Sequence, residues 1–275
     1  MPALYNGYLY TIRPRHVLTL FDPDGHQMLT LPLIGNDTIS ILNVAIDSDT
    51  TLALSRRDEA GSAIELHDAF GNLLQSINTG RYILEHLAFG EDHTIWSLGW
   101  QTDATKLRYP DRQDYMILRH YSRDGKEMGA YLPRSLFPAG LEPGSIGWQS
   151  RAITVTGDRV GVQVYSGNPG NKMEWVELDV DGKLTGRWRL DDVAQGGAIA
   201  FTSDDQAYLP HFDRATKTHQ VLKLNRVTST WEKVPSPGLR LYGSDGDQLV
   251  FAEWGGRGWD GLMHLSWFNQ PEMQN

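Results

Sequence analysis

The chain has 275 residues, 40% of them hydrophobic and 21% charged, with a formal net charge of −9 and no cysteine. Such a composition describes a folded globular chain, and the length suits one large all-β domain spanning residues 1–275. The acidic balance argues against a nucleic-acid backbone or an anionic membrane as main partner, and the missing thiols exclude disulfides, thiolate metal sites and cysteine nucleophiles.

Taken in chain order, the sequence repeats one sentence. Residues 17–33, VLTLFDPDGHQMLTLPL, alternate apolar and polar side chains into Asp22-Pro23-Asp24-Gly25 and out again, which predicts an antiparallel hairpin. The same form returns as AIELHDAFGNLLQSI (63–77), MILRHYSRDGKEMGAYL (116–132) and WVELDVDGKLTGRWRL (175–190), and as a worn copy without the turn glycine, VLKLNRVTSTWEKV (221–234). The turn glycines fall at 25, 71, 125 and 182. A repeat of about 40–50 residues with several short strands per unit is the pattern of a β-propeller.

The fullest unit runs from 84 to 133 and predicts strands A (84–90), B (94–100), C (116–122) and D (127–132). The B strands give the register: LYTI (9–12), LALS (52–55), IWSL (95–98), VGVQ (160–163), AYLP (207–210) and LVFA (249–252). Six B strands predict six blades of four antiparallel strands, and the 65-residue step from 95 to 160 contains an insertion. No segment has helical periodicity, and no apolar run approaches the roughly 18 residues of a membrane span.

Both ends read one strand short. Residues 1–5 offer at most a stub of strand A for the first blade, and 269–275 alone remain for a last D strand. Closed propellers avoid open edges, so the expectation is either an upstream segment carrying strand A, or two abbreviated blades meeting at a seam; the first is favoured. With such a segment and its own signal peptide the protein would be periplasmic or secreted, and otherwise cytoplasmic. The start itself, MPALYNGYLYTIRPR, lacks the pattern of a signal peptide.

The residues at 8–12 and 17–25, with the hairpins 64–71, 117–125 and 176–182, resemble the six-bladed propellers of the NHL-repeat and TolB-like group, over nearly the whole chain. The resemblance is one of fold, and the group holds lactonases, lyases, protein-binding and RNA-binding modules, so it implies no single activity. The E-G-P-x-W and P-N-G segments of the metal-dependent lactonase subgroup are absent; the nearest segments, Leu141-Glu142-Pro143 and Asn168-Pro169-Gly170, are out of order.

Loop length separates the two faces. The A–B and C–D turns are short throughout, so their face reads as scaffold, with aspartates as turn formers. The opposite face carries the long connections: 101–114, 133–150, 166–172, 211–218 and the Gly-rich 254–260. Segment 133–150 reads equally as a lid or a packed Ω-loop. Long loops bearing aromatic and arginine side chains are the composition of binding surfaces. The candidate ligand-binding residues are therefore Arg108, Tyr109, Arg112, Phe137, His211, Arg214, Trp254, Arg257 and Trp259. Two bland readings compete: the tryptophans of 254–259 tuck between blades, and Arg108 and Arg112 pair with Asp111 and Asp114.

Catalytic motifs are missing. No H-x-H, D-x-D-x-D-G or G-x-S-x-G spacing occurs. His67, His120 and His264 fall on C strands and read as interblade or exposed residues; His86, on an A strand, and His211 have the best access to a site. Glu85, Asp47 and Glu253 are the carboxylates expected near the channel. Trp96, Trp175 and Trp188 sit in strand register, where interblade packing is the default. The reading is a non-enzymatic propeller holding a protein, peptide or small-molecule ligand on the long-loop face. The alternative is a metal-dependent hydrolase, lactonase or lyase with its site in the central channel. The residues name no cofactor.

Overall fold

Strands that alternate apolar and polar side chains and are joined by tight turns pair with their chain neighbours, and the computed structural model of the chain is built this way throughout. It describes all residues except 1–2, 6, 14–16, 23, 33–39, 59–60, 104–113, 138–140, 144–151, 167–172, 191–198, 256–261 and 270–275. Blade 1 is β1 (Ala3–Tyr5), β2 (Tyr8–Arg13), β3 (Val17–Phe21) and β4 (Gln27–Pro32); blade 2 is β5 (Ser40–Ile46), β6 (Leu52–Asp58), β7 (Gly61–His67) and β8 (Leu73–Gly80). Blade 3 is β9 (Tyr82–Phe89), β10 (Ile95–Gln101), β11 (Met116–Tyr121) and β12 (Glu127–Pro133). After a 3-10 turn at Arg134–Leu136, blade 4 contains β13 (Leu141–Pro143), β14 (Ile153–Thr156), β15 (Arg159–Ser166), β16 (Met173–Asp179) and β17 (Leu184–Arg189). Blade 5 is β18 (Ala200–Phe201), β19 (Ala207–Asp213), β20 (Thr218–Asn225) and β21 (Thr230–Val234); blade 6 is β22 (Arg240–Asp245), β23 (Gln248–Gly255) and β24 (Leu262–Phe268). The fold is an all-β, six-bladed propeller, and all six sequence-assigned B strands lie in the second strand of their blade.

The first blade has the expected stub of an inner strand: Ala3 to Tyr5 pair with Tyr10 to Tyr8. Among the described residues only the last blade is incomplete, with three strands. The insertion before blade 4 is also partly strand. Leu141–Pro143 pair with Ser166 to Val164, and Ile153–Thr156 pair with Val162 to Arg159, so the innermost position of this blade is shared by two short segments. Its remaining residues, 144–150, lie outside the described ones.

Each sheet buries both faces against its neighbours. The ring of Trp175 meets Phe201 of the next blade edge-on, and Glu177, fully buried, receives the Trp175 indole N–H at 2.7 Å and a two-point contact from the Arg226 guanidinium of blade 5 at 2.8 and 2.9 Å. At the seam Leu4 of blade 1 packs against Gly243 of blade 6. The Tyr5 hydroxyl accepts the Phe89 backbone N–H of blade 3 at 2.8 Å.

The four repeated turn glycines all adopt the left-handed conformation that a type I turn with a following bulge requires, with φ between 83° and 91°. Their surroundings differ. A side chain added at Gly25 would meet nothing within 4 Å, whereas a Cβ at Gly182 would fall 1.9 Å from the Tyr131 ring. Gly25→Ala is expected to cost about 1 kcal/mol from the backbone alone, and Gly182→Ala distinctly more, as measured by denaturant unfolding; equal costs would refute the packing argument. Opposite the junction of β13 and β14, Gln163 is fully buried and neither amide atom has a hydrogen-bond partner. Gln163→Met is expected to stabilise the fold by about 1–3 kcal/mol in the same assay, and destabilisation would contradict the assignment of the amide as unsatisfied.

Candidate functional site

The two faces of the ring differ as the turns predict, but the structure gives each a concavity. On the long-loop face most of the candidate residues, Arg108, Tyr109, Arg112, Arg257 and Trp259, lie outside the described ones. Trp254 is placed on β23 opposite Met263, its side chain not being among the described ones. Phe137 is not a surface residue: it is 4% exposed in the core between blades 3 and 4, with the Arg187 guanidinium 5.0 Å from its ring centre. Burial is a better fate for a phenylalanine flanked by a 3-10 turn than solvent. His211 and Arg214 lie at the end of β19 and in the turn that follows it.

Beside them is a cleft of about 490 Å³ lined by Thr218, His219, Gln220, Lys233, Val234, Pro235 and Ser236. It forms where strand pairing stops. The last paired residues of β20 and β21 are Val221 and Val234, and Pro235 cannot donate to a ladder, so the outer strand leaves its neighbour. His211 pairs with Gln220, whose amide donates to Asp213 at 3.1 Å. His219 packs its ring on Phe212 at 5.0 Å; burial and the charge of Arg240 hold its pKa below the ordinary histidine value. Among the described residues no carboxylate lines this cleft.

The remaining sequence candidates are mostly structural. His120 is buried, stacked on Trp96 at 4.0 Å and bonded to the Thr94 hydroxyl at 2.7 Å. His67 is buried beside Glu65 and the Gly71 carbonyl, and His264 is exposed. Glu85 accepts the Trp100 indole N–H at 2.8 Å. His86 is buried on β9, Glu253 is exposed on β23, and Trp96, Trp175 and Trp188 are interior residues as expected.

The aspartates of the tight-turn face form turns as expected, and this face also carries a concavity. An axial cavity of about 630 Å³ opens on it, lined from all six blades: Tyr8; Asp47 and Ser48; Phe89, Gly90 and Glu91; Thr154, Val155 and Thr156; Phe201 and Ser203; Ser244, Asp245 and Gly246. Short turns do not fill the mouth of the ring, so the space between the inner strands stays open. Among the described residues no Lys, Arg or His lines it. The signal in the sequence was the recurrence of Asp, Glu, Ser and Thr at the end of each A strand, which reads individually as turn chemistry. Turn formation is indeed part of it: Asp49 accepts Thr51 N–H at 2.9 Å and Asp92 accepts Thr94 N–H at 3.1 Å.

The carboxylates of this face are committed to protein donors to different degrees. Asp47 is buried and accepts the Ser48 N–H at 2.7 Å and the His93 ring nitrogen at 2.8 Å. Asp47, Asp49 and His93 have the spacing of a metal-ligand set, but the Arg123 guanidinium lies 2.7 Å from Asp49 and 3.8 Å from Asp47, in the place a cation would take. A second set, Asp22, Asp24 and His26, sits in an outer turn, where Asp22 accepts the His26 N–H at 2.7 Å. Glu91 is exposed, with one oxygen accepting Gly157 N–H at 2.9 Å, and Asp245 accepts the Trp267 indole N–H at 3.1 Å through one oxygen.

No protein-family model matches the chain, and no curated protein matches it. Solved structures do resemble it. Hydrazine synthase of Kuenenia stuttgartiensis superposes with a TM-score of 0.58 at 9% identity, over 90% of this chain and 72% of that one. A protein of unknown function from Bacteroides caccae gives 0.55 at 12% identity, over 91% and 84%. Catalytically inactive virginiamycin B lyase from Staphylococcus aureus, solved with quinupristin, gives 0.53 at 15% identity, over 96% and 83%. At these identities the likeness shows the fold alone.

Burial opposes ionisation of Asp49, but hydrogen bonds from Thr51 and the hydrogen bond and charge of Arg123 outweigh it and hold the carboxyl down at about 2. A folded-state pKa below the unfolded one stabilises above the unfolded value and loses that contribution as pH falls through the folded value. Asp49→Asn is therefore expected to be less stable than the parent at pH 5, by below about 1 kcal/mol because the pair is exposed. The difference should vanish between pH 4 and pH 2; chemical denaturation across that range checks it, and a difference independent of pH would remove the ion pair as its cause.

Proposed function

We propose that this chain is a non-enzymatic binding propeller that holds a protein, peptide or small-molecule ligand on its long-loop face. The observation that carries this reading is the cleft at the outer end of blade 5. It combines His219 and Lys233 with an apolar wall of Val234 and Pro235, without a lining carboxylate, and it adjoins His211 and Arg214. Lys233 supplies the positive charge of this cleft and His219, held neutral, a hydrogen-bonding ring, which together favour an acidic group on the partner. In this reading loops 101–114 and 254–260 supply the other contacts, through Arg108, Tyr109, Arg112, Trp254, Arg257 and Trp259.

The enzymatic alternative, a hydrolase, lactonase or lyase with a divalent metal in the channel, requires three or four ligands converging from different inner strands. Among the described residues the axial cavity gathers Asp47, Glu91 and Asp245 from three blades, and these are not among the groups close enough to share one ion. Reading the chain as a binder fits that dispersed lining better.

Two measurements test the reading. Lys233→Glu combined with Arg214→Glu should abolish recovery of a partner identified with the parent protein, while stability changes by no more than about 0.5 kcal/mol per exposed site; retained binding would move the site off this cleft. Elemental analysis with melting curves in and out of chelator should show no stoichiometric divalent metal and no chelator effect. A bound metal whose removal lowers the melting temperature would overturn the binder in favour of the channel enzyme.

A further inference from the structure

The axial cavity on the tight-turn face stands apart from the loop-face reading, and its chemistry points elsewhere. Two of its carboxylates lie on blades 3 and 6, which are opposite one another in a ring of six. Each is fixed by one oxygen: Glu91 by the Gly157 backbone N–H and Asp245 by the Trp267 indole N–H. A carboxylate oriented through one oxygen keeps acceptor capacity on the other. The lining also offers hydroxyls, including Thr154 and Ser203, and the aromatic Tyr8, with no cationic side chain among the described residues.

That arrangement discriminates among ligands. An anion would meet these two carboxylates and a third, Asp47, which is already paired with His93, and no lining cation among the described residues. A single metal ion needs oxygen donors within about 2–2.6 Å of one point, and Glu91 and Asp245 do not belong to any close donor group among the described residues. A longer molecule with positive charge at both ends matches two separated carboxylates, with hydroxyls and an aromatic ring along its length. A volume of about 630 Å³ falls in the range of small-ligand sites, and the net charge of −9 adds attraction for cations.

We propose that the axial cavity is a binding site for a small organic diamine or polyamine, one ammonium at Glu91 and another at Asp245. The probes are 1,4-diaminobutane and spermidine, titrated calorimetrically into the full chain at low ionic strength, where surface screening is weakest. Saturable one-site binding is expected, with butylamine at least about tenfold weaker than the diamine because it meets one carboxylate only. Glu91→Gln and Asp245→Asn should each weaken the diamine by about tenfold. The amide of Asp245→Asn retains an oxygen for Trp267, and Glu91 is exposed, so both variants are expected to keep the parent melting temperature. Glu232→Gln, an exposed acid on β21 away from the cavity, is the control and should leave binding unchanged. Three results would overturn the proposal: no saturable binding, equal weakening by Glu232→Gln, which would mean diffuse electrostatic attraction, or displacement of the diamine by calcium with loss of calcium binding in the same two variants, which would mean a metal site.

Discussion

A four-stranded antiparallel sheet with apolar residues on both faces has two surfaces to cover, and in this chain each is covered by the next blade. Leu29 and Leu31 of blade 1 lie against the Gly71 turn of blade 2, and Gln75 and Ile77 of blade 2 against the Gly125 turn of blade 3. The outer strand of one blade thus rests on the C–D turn of the following one, and a turn glycine without a side chain lets the two approach. The ring follows from repeating this step, because each blade is left with an uncovered face until the sixth meets the first.

Closure at that meeting point is made by side chains of the inner strands. Leu4 packs on Gly243, and the turn at Gly7 sits within 3.0 Å of Asp245 when a side chain is built on it. The three-residue β1 matters here beyond its length, since Tyr5 also ties the first blade to the third through the Phe89 N–H. The blade 4–5 joint uses a different device, a buried Glu177 satisfied by Trp175 and Arg226. A charge with no exposed surface is tolerable when its partners are this complete, and it fixes the relative register of the two blades.

The architecture also determines where ligands have room. Tight A–B turns bring the inner strands to an end without covering the axis, which leaves the acidic, hydroxyl-lined cavity; on the opposite face the outer strand of blade 5 leaves its neighbour at Pro235 and opens the cleft beside Lys233. The two concavities lie on opposite faces and differ in lining: carboxylates and hydroxyls in one, Lys233 and His219 beside Val234 and Pro235 in the other.

Much of the fold was legible because strand alternation and turn glycines are local signals: the six B strands, the hairpins at Gly25, Gly71, Gly125 and Gly182, and the interior tryptophans could be read from neighbours in sequence. Ala3–Tyr5 was legible only as a stub and Leu141–Pro143 not at all, since both are too brief to alternate and are strands only because β2 and β15 supply partners. The candidate sites divide in the same way. Loop length marked the elaborated face, where His211 pairs with Gln220 of the cleft, but Phe137 turned inward because packing between blades, not its position in a long connection, decides its burial. The axial cavity was invisible in the sequence, because Glu91 and Asp245 are 154 positions apart and face one space only once the ring has closed. Local periodicity sets what each strand is; the circular arrangement of blades decides which strand ends share a site.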